Sequence, residues 1–141
     1  MLEKNKNIVI KFIESFSAGD AEAAKVCLAP DAVTYAKGYG KLSGARPYEI
    51  IVATTATFKE IIPTGLRPKF ISVIAEGDKV AVEFEGDAIL ANGERYCNQY
   101  SMIFTLENGR IKSVNEYYCT LLADQKILPL LAHVEEQRKK T

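Results

Sequence analysis

Histidine, cysteine and tryptophan are scarce in this sequence, and the scarcity of the first two excludes several kinds of site. The only histidine, His133, lies near the carboxyl end, so neither a serine-histidine-aspartate triad nor a multi-histidine metal site is expected. The three cysteines, Cys27, Cys97 and Cys119, are widely spaced and form no CxxC pair, which argues against a disulfide framework or a zinc site. We therefore expect reduced, mostly buried thiols, and we predict no metal and no cofactor.

An excess of charge of either sign is also missing, because 18 basic residues are matched by 18 acidic ones. Nothing in this balance favours binding to nucleic acid. No apolar run approaches the roughly 20 residues that cross a bilayer, and the first seven residues are polar, unlike a secretory signal. We expect a cytoplasmic protein without a membrane partner.

The composition that remains is that of a globular protein, with 48% hydrophobic and 26% charged residues in a chain of 141. A chain of this length supports one hydrophobic core. No internal repeat or linker divides it, so we predict one domain over residues 1–125 and a tail over residues 126–141. The segment from Leu128 onward is expected to be detachable.

The first part of the chain predicts three helices. Apolar residues recur at helical spacing from Leu2 to Phe16. Asp20 is a favourable N-cap for a short second helix, which Pro30 is expected to end. A short strand over residues 32–35 and a glycine-containing loop then lead to a third helix, between Pro47 and Pro63.

The second half predicts a four-stranded antiparallel meander. From Leu66 onward the pattern alternates in four runs, over residues 66–76, 79–91, 94–107 and 110–119. Asn92-Gly93 and Asn108-Gly109 favour two-residue type I′ turns, because both residues accept a positive φ. The chain is therefore predicted to have an α+β fold, in which helices and a curled antiparallel sheet enclose one pocket.

Two-residue turns fix the register of the strands and so the faces of the sheet. Counting from the turns pairs Phe84 with Ser101, and Ser101 with Glu116. The inner face then collects a predicted core of Ile71, Val73, Val80, Val82, Phe84, Ile103 and Val114. One end of this face becomes polar, and we expect the pocket there, beside Gln99, Ser101, Glu116 and Tyr118.

Glu116 is the candidate catalytic residue. A carboxylate inside an apolar shell loses solvation, which raises its affinity for protons and suits it to act as acid or base near neutral pH. The alternative is that Glu116 pairs with a cation such as Arg46, or reaches solvent at the end of its strand.

A β-bulge between Asn98 and Met102 would reverse the third strand of the meander. Asn98 and Tyr100 would then face inward in place of Gln99 and Ser101. The candidate ligand-binding residues therefore cover both registers: Tyr35, Asn98, Gln99, Tyr100, Ser101 and Tyr118.

The opposite face of the predicted sheet mixes polar residues with Tyr96, Tyr100, Met102, Phe104 and Tyr117. Such a face is too apolar for plain solvent contact and often becomes a subunit interface. We expect a homodimer that forms through this outer face.

Three segments carry a resemblance to a known family: Tyr96-Cys97-Asn98-Gln99-Tyr100, then Asn108-Gly109-Arg110-Ile111, then Asn115-Glu116-Tyr117-Tyr118. They resemble the signature of SnoaL-like proteins. The order of elements over residues 3–122 is similar to that of the NTF2-like superfamily, which includes ketosteroid isomerase, limonene epoxide hydrolase and the SnoaL-like polyketide cyclases. The resemblance implies a cone of three N-terminal helices packed on a curved sheet, a deep pocket and a homodimer.

The resemblance does not extend to the residues of any one known activity. Ketosteroid isomerase requires carboxylates where this chain has Tyr35 and Ser101. Limonene epoxide hydrolase requires an arginine and an aspartate where this chain has Gln99 and Ser101. SnoaL-like cyclases pair an acidic residue with a histidine, and Glu116 matches only the acid, since His133 lies in the tail.

Three functions follow as hypotheses. The first is a proton-transfer enzyme of isomerase, cyclase or dehydratase type that acts on a hydrophobic carbonyl compound. The second is a module that binds an apolar small molecule without transforming it. The third is a protein-interaction role in which the pocket is vestigial.

Overall fold

Five helices and eight strands make up the part of the chain that the structure, a computed structural model, describes, namely residues 1–140. The helices are α1 (Leu2–Ser17), α2 (Ala21–Cys27), α3 (Tyr48–Ile61), α4 (Thr120–Lys126) and α5 (Leu128–Lys139). The strands are β1 (Leu28–Ala36), β2 (Gly44–Pro47), β3 (Lys69–Glu76), β4 (Lys79–Glu85), β5 (Ala88–Ile89), β6 (Arg95–Tyr96), β7 (Gln99–Glu107) and β8 (Arg110–Tyr118).

Six of the strands form one sheet in the order β2-β1-β8-β7-β4-β3, and β5 pairs with β6 in a small extension. Among the strand pairs within residues 1–140, only that of β1 with β8 is parallel. This parallel pairing places the first strand of the chain beside the last strand. The helices that flank β1 therefore lie over the part of the sheet where the meander ends.

The three predicted N-terminal helices are present. The Asp20 carboxylate accepts a hydrogen bond from the Ala23 amide at 3.1 Å and so caps α2. This helix ends at Cys27, before Pro30, because the chain enters β1 at Leu28 and Pro30 lies inside that strand. The third helix begins directly after Pro47, as predicted.

Helix α1 supplies the middle of the core. Val9, Phe12 and Ile13 are buried on the side of α1 that faces the sheet. The ring of Phe12 meets the ring of Phe104 edge to face, with 6.1 Å between centroids. The helices therefore cover the concave face, and the core lies between the two layers.

The predicted two-residue turn at Asn92-Gly93 is wrong. The amide of Leu90 donates to the carbonyl of Glu94 at 2.8 Å, so the loop contains a third residue, Ala91. Asn92 has a negative φ, and its side-chain oxygen accepts from the Glu94 amide at 3.0 Å. This side-chain contact favours a three-residue loop that ends on a left-handed glycine, here Gly93 with φ +87°.

The extra loop residue moves the register by one. Val82 pairs with Met102 and Phe84 pairs with Tyr100, so Ser101 is opposite neither Phe84 nor Glu116. The inward residues from β6 to the end of β7 are all buried: Tyr96, Asn98, Tyr100, Met102, Phe104 and Leu106.

Two members of the predicted core are also wrong. Ile103 is 39% exposed because β7 is reversed, and Ile71 is 50% exposed because a bulge between Phe70 and Ser72 leaves it without a partner on β4. Most of the other members are buried as predicted, namely Val80, Val82, Phe84 and Val114, and Val73 is partly buried.

The turn at Asn108-Gly109 has the predicted type I′ geometry, with φ of +53° and +75°. A bulge then shifts the pairing of β7 with β8, so that Leu106 is opposite Ile111 but Thr105 is opposite Ser113. The bulge therefore lies at Lys112, and not between residues 98 and 102. The loop residue would by itself turn Glu116 outward, and the bulge at Lys112 cancels this effect, so Glu116 still faces inward, opposite Met102.

The segment after Leu128 forms α5, which packs on the rest of the molecule. Leu130, Leu131 and Val134 contact the core, and Ile127, just before the helix, is buried. This packing differs from the expected detachable tail, while a domain boundary at residue 125 stays a prediction.

Cys27 is buried, whereas Cys97 and Cys119 are exposed, so the expectation of mostly buried thiols is wrong.

Among residues 1–140, no helix has the length and apolar character needed to span a membrane.

Candidate functional site

A cavity of about 390 Å³ lies between the concave face of the sheet and helices α3 and α5. Its volume is in the range of known small-molecule sites, which begin at roughly 300 Å³. Much of the wall is aliphatic or aromatic, with Ile51 and Phe58 from α3 and Leu131 and Val134 from α5. Polar side chains come from both layers, from the strands (Thr34, Arg46, Tyr96, Tyr100, Glu116 and Tyr118) and from the helices (Thr54, Thr57, Glu135 and Arg138).

Glu116 contributes its carboxylate to this cavity from β8. Its strand lies in the interior of the sheet, between Ala36 of β1 and Met102 of β7. Within residues 1–140 its side chain has neither a hydrogen bond nor an ion pair. Loss of solvation on burial raises the pKa of Glu116 from 4.5 to about 7, so protonated and ionised forms coexist near neutral pH.

Arg46 is the cation that acts on Glu116. It extends from the edge strand β2 into the cavity wall, and its guanidinium donates to the Leu42 carbonyl at 2.6 Å. Its positive charge opposes the effect of burial on the pKa of Glu116, but the two side chains form no ion pair. Glu116 is therefore influenced by Arg46 without being neutralised by it.

Two of the candidate tyrosines, Tyr100 and Tyr118, also line the cavity. The ring of Tyr100 stacks on Phe84 with 4.6 Å between centroids, and the Tyr118 ring is 6.1 Å from that of Tyr100. Burial raises the pKa of Tyr100 well above its usual value and that of Tyr118 to about 12. Both hydroxyls therefore keep their protons and can act as hydrogen-bond donors.

Asn98 lies directly behind the cavity wall and is almost fully buried. Its amide nitrogen donates to the Tyr96 hydroxyl at 2.8 Å and to the Cys119 carbonyl at 3.1 Å. Its oxygen accepts from the amides of Gln99 and Cys119 at 2.7 and 3.1 Å. Both donors and both acceptor positions are used, so the side chain is held in one orientation.

The other three candidate residues lie away from the cavity. Gln99 and Ser101 are on the outer face of the sheet, where the Gln99 amide donates to Glu85 at 3.1 Å. Tyr35 is 40% exposed and is paired with Asn115 and Ala45 on the same outer face. The cavity therefore brings together Glu116, Tyr100 and Tyr118, with Asn98 behind them.

Sequence reasoning missed Tyr96 and the residues that α5 contributes to the cavity. Tyr96 shares a strand face with Asn98 and Tyr100, so choosing the alternative register would have found it. The α5 residues that line the cavity are spaced as one helical stripe, which was a usable signal: Leu131, Val134, Glu135 and Arg138.

Arg138 holds α5 against α3 at the edge of the cavity. Its guanidinium donates to the Thr57 hydroxyl at 3.2 Å and to the Glu60 carboxylate at 3.0 Å. The side chains of Arg138 and Glu60 are each more than half exposed, so their ion pair adds little to stability and serves mainly to position α5.

Across residues 1–140, no three histidine, cysteine or acidic side chains lie together as ligands for a metal ion.

Comparison with known proteins gives the following matches. The sequence profile of the SnoaL-like domain matches residues 9–114. No curated protein matches the chain significantly. A solved NTF2-like protein of unknown function from Burkholderia pseudomallei is 20% identical, with 88% of this chain and 97% of that chain covered and a TM-score of 0.74.

Two further solved structures have 18% identity. An LEH-like epoxide hydrolase of M. tuberculosis covers 96% of this chain and 98% of its own length, with a TM-score of 0.71. PrhC from Penicillium brasilianum covers 94% of this chain and 91% of its own length, with a TM-score of 0.76. At these identities the matches establish the fold alone, and they confirm the predicted NTF2-like cone.

Proposed function

This chain belongs to the family of SnoaL-like domains, and from that premise we propose that it is a small proton-transfer enzyme acting on a hydrophobic carbonyl compound. Glu116 is its catalytic acid or base. The observation that carries the proposal is a carboxyl group in an apolar cavity, without a hydrogen-bonding partner among the described residues and with a pKa raised to about 7.

The chemistry follows from the two protonation states of Glu116. Its ionised form removes a proton from the carbon next to a carbonyl group, and its protonated form returns that proton to another position of the same substrate. The intermediate carries negative charge on the carbonyl oxygen. Tyrosine hydroxyls and the Arg46 guanidinium at the cavity wall stabilise such a charge, since they need no large rearrangement to do so.

The apolar wall supports a hydrophobic substrate. Side chains such as Ile51, Phe58 and Val134 offer no hydrogen bonds, so the substrate buries apolar surface against them. A water-poor cavity also keeps the Glu116 carboxyl poorly solvated, which maintains its raised pKa.

The test is exchange of the acidic methyl protons of 2-acetylnaphthalene in heavy water, followed by proton NMR. We expect the wild-type protein to accelerate exchange and Glu116→Gln to reduce the acceleration by at least about 100-fold, the usual contribution of a general base. Glu83→Gln, on the exposed outer face, is the matched control. Equal exchange rates in wild type and Glu116→Gln would exclude Glu116 as the base.

A non-catalytic binding module is the second candidate function. The predominance of aliphatic and aromatic wall residues favours it, because such a wall retains a ligand without needing any chemistry. In that case Glu116→Gln keeps the affinity for 2-acetylnaphthalene, and the wild-type protein gives no exchange above the buffer rate.

The outer face of the sheet is the proposed homodimer interface. Paired residues form one row across all six strands, from β3 to β2: Ile74, Ala81, Ile103, Asn115, Tyr35 and Ala45. With adjacent strands about 4.8 Å apart, this row is roughly 24 Å long. Exposed Ile74, Ile103 and Tyr35 give it the apolar character that interfaces need.

The three unpaired thiols suit a cytoplasmic location, where thiols remain reduced.

A further inference from the structure

The hydrogen bonds of Asn98 determine what the neighbouring Tyr96 hydroxyl can do. The Asn98 oxygen accepts from two backbone amides, those of Gln99 and Cys119. A flipped side chain would direct its NH₂ group at these two donors and its oxygen at the Cys119 carbonyl. The observed orientation is therefore the only one in which each contact joins a donor to an acceptor.

In this orientation the Asn98 NH₂ group donates to the Tyr96 oxygen at 2.8 Å. Asn98 has no acceptor left for the Tyr96 proton, because both positions on its oxygen are occupied by backbone amides. The Tyr96 hydroxyl must therefore direct its proton elsewhere.

Tyr100 is a second polar neighbour of the Tyr96 hydroxyl, and it lines the same cavity. Burial raises the pKa of Tyr96, so its hydroxyl keeps the proton. Because Asn98 cannot accept this proton, the Tyr96 hydroxyl presents it on the side of the cavity, where a bound ligand can accept it.

From this geometry we propose that Tyr96 donates the hydrogen bond that holds the carbonyl oxygen of the cavity's ligand, and that Asn98 is the positioning residue that directs the Tyr96 proton toward it. This inference rests on the proposed function, since it takes a hydrophobic carbonyl compound as the ligand. It adds a recognition element, because a hydrocarbon of the same shape would leave the buried Tyr96 donor unpaired.

The experiment compares two probes, 2-acetylnaphthalene and 2-ethylnaphthalene, which have similar shape but differ in the carbonyl oxygen. Tyr96→Phe is expected to weaken binding of the ketone by about 5- to 10-fold, the equivalent of one hydrogen bond, and to strengthen binding of the hydrocarbon, which no longer leaves a buried donor unpaired. Tyr117→Phe removes a hydroxyl from the exposed outer face of the sheet and is expected to leave the binding of both probes unchanged.

Infrared spectroscopy of the ¹³C-labelled carbonyl group measures its stretching frequency, which would not change if Tyr96 had a purely structural role. In the wild-type complex we expect the carbonyl stretch at lower frequency than in an apolar solvent, and in Tyr96→Phe a return toward the solvent value. Asn98→Asp should have the same effect with the Tyr96 ring still present, because the introduced carboxylate would accept the Tyr96 proton.

Three results would overturn the proposal: an unchanged stretch in Tyr96→Phe, a loss of the shift in Tyr118→Phe instead, or no binding of the ketone to the wild-type protein. If Asn98→Asp does not fold, Tyr96→Phe alone decides the question. Proton exchange plays no part in this measurement, so a shifted stretch without exchange rejects the enzyme and retains the Tyr96 contact.

Discussion

Glu116 combines a position in the interior of the sheet with a carboxyl group that lacks a partner in the described part of the chain. Because its folded-state pKa of about 7 exceeds the ordinary value of 4.5, the folded protein binds the proton more tightly than the unfolded chain. The free energy of unfolding should therefore fall as the pH rises from about 4.5 to about 7 and stay level above that. The difference corresponds to at most about 3 kcal/mol.

Glu116→Gln removes this dependence. We expect the variant to be more stable than the wild type at pH 8, by up to about 3 kcal/mol, and nearly equal to it at pH 4. Urea unfolding followed by circular dichroism at both pH values measures the difference. Glu83→Gln, an exposed change of the same type, should give no such gain. A wild-type protein whose stability rises between pH 5 and 7 relative to Glu116→Gln would contradict the raised pKa.

At the scale of the secondary-structure elements, Gly19 lies in the turn between α1 and α2 and packs closely against α3. It has φ +73°, and a Cβ atom there would lie 2.7 Å from the Cβ of Lys59. Gly77, in the turn between β3 and β4, has φ +58° but open space around it.

We expect Gly19→Ala to destabilise the protein by roughly 3 kcal/mol and Gly77→Ala by about 1 kcal/mol. Both changes strain the backbone, but only the first also forces two packed elements apart. Thermal or urea unfolding of the two variants provides the comparison, and equal losses would show that the contact with α3 relaxes without cost.

Helix α5 should control how tightly the cavity retains a ligand. Leu131→Ala combined with Val134→Ala removes apolar wall from the cavity, and we expect the affinity for 2-ethylnaphthalene to fall by about tenfold. Leu130→Ala is the matched control, since Leu130 packs on the core without lining the cavity. Titration calorimetry measures the affinity of each variant for 2-ethylnaphthalene. The same loss of affinity in Leu130→Ala would mean that α5 acts through overall stability and not through the cavity wall.

The elements were largely predictable, whereas the faces of one strand were not. Helical spacing and the Asp20 cap located the three N-terminal helices, and alternation located the strands of the meander, whereas β2, α4 and α5 were not predicted. Asn-Gly occurs in two turns, yet only Asn108 takes the positive φ of a type I′ turn. At Asn92 the side chain bonds to the backbone of Glu94 and the loop gains a residue, a choice that the dipeptide itself does not determine.

The bulges at Ile71 and Lys112 were also absent from the predictions. Each places consecutive inward side chains three residues apart, Phe70 and Val73 in β3 and Ile111 and Val114 in β8, and a search for strict alternation does not detect this spacing.

Glu116 was nevertheless predicted on the inner face, since the extra loop residue reverses β7 and the bulge residue at Lys112 reverses β8 once more, so the two displacements cancel at Glu116. Tyr96 was missed because the face of the sheet on which it lies depends on the length of the Asn92 loop alone.

For the whole molecule, the main expectation concerns its assembly. The apolar row on the outer face predicts that Ile103→Asp separates the proposed homodimer, because a charge there would lie unpaired within the interface. Analytical ultracentrifugation of wild type and variant measures the change in mass. Val26→Asp, on an exposed position of α2, is the control and should leave the assembly unchanged. A monomeric wild-type protein at all concentrations would exclude the dimer.

The loop of Ala91, Asn92 and Gly93 also constrains how this sequence can change over evolutionary time. Deleting one of these residues without compensation would restore a two-residue connection and exchange the sides of the strand that follows, bringing Gln99, Ser101 and Ile103 inward and expelling Tyr100, Met102 and Phe104. A point mutation on this strand therefore alters one side chain, whereas the loss of one loop residue alters the surroundings of every side chain on it.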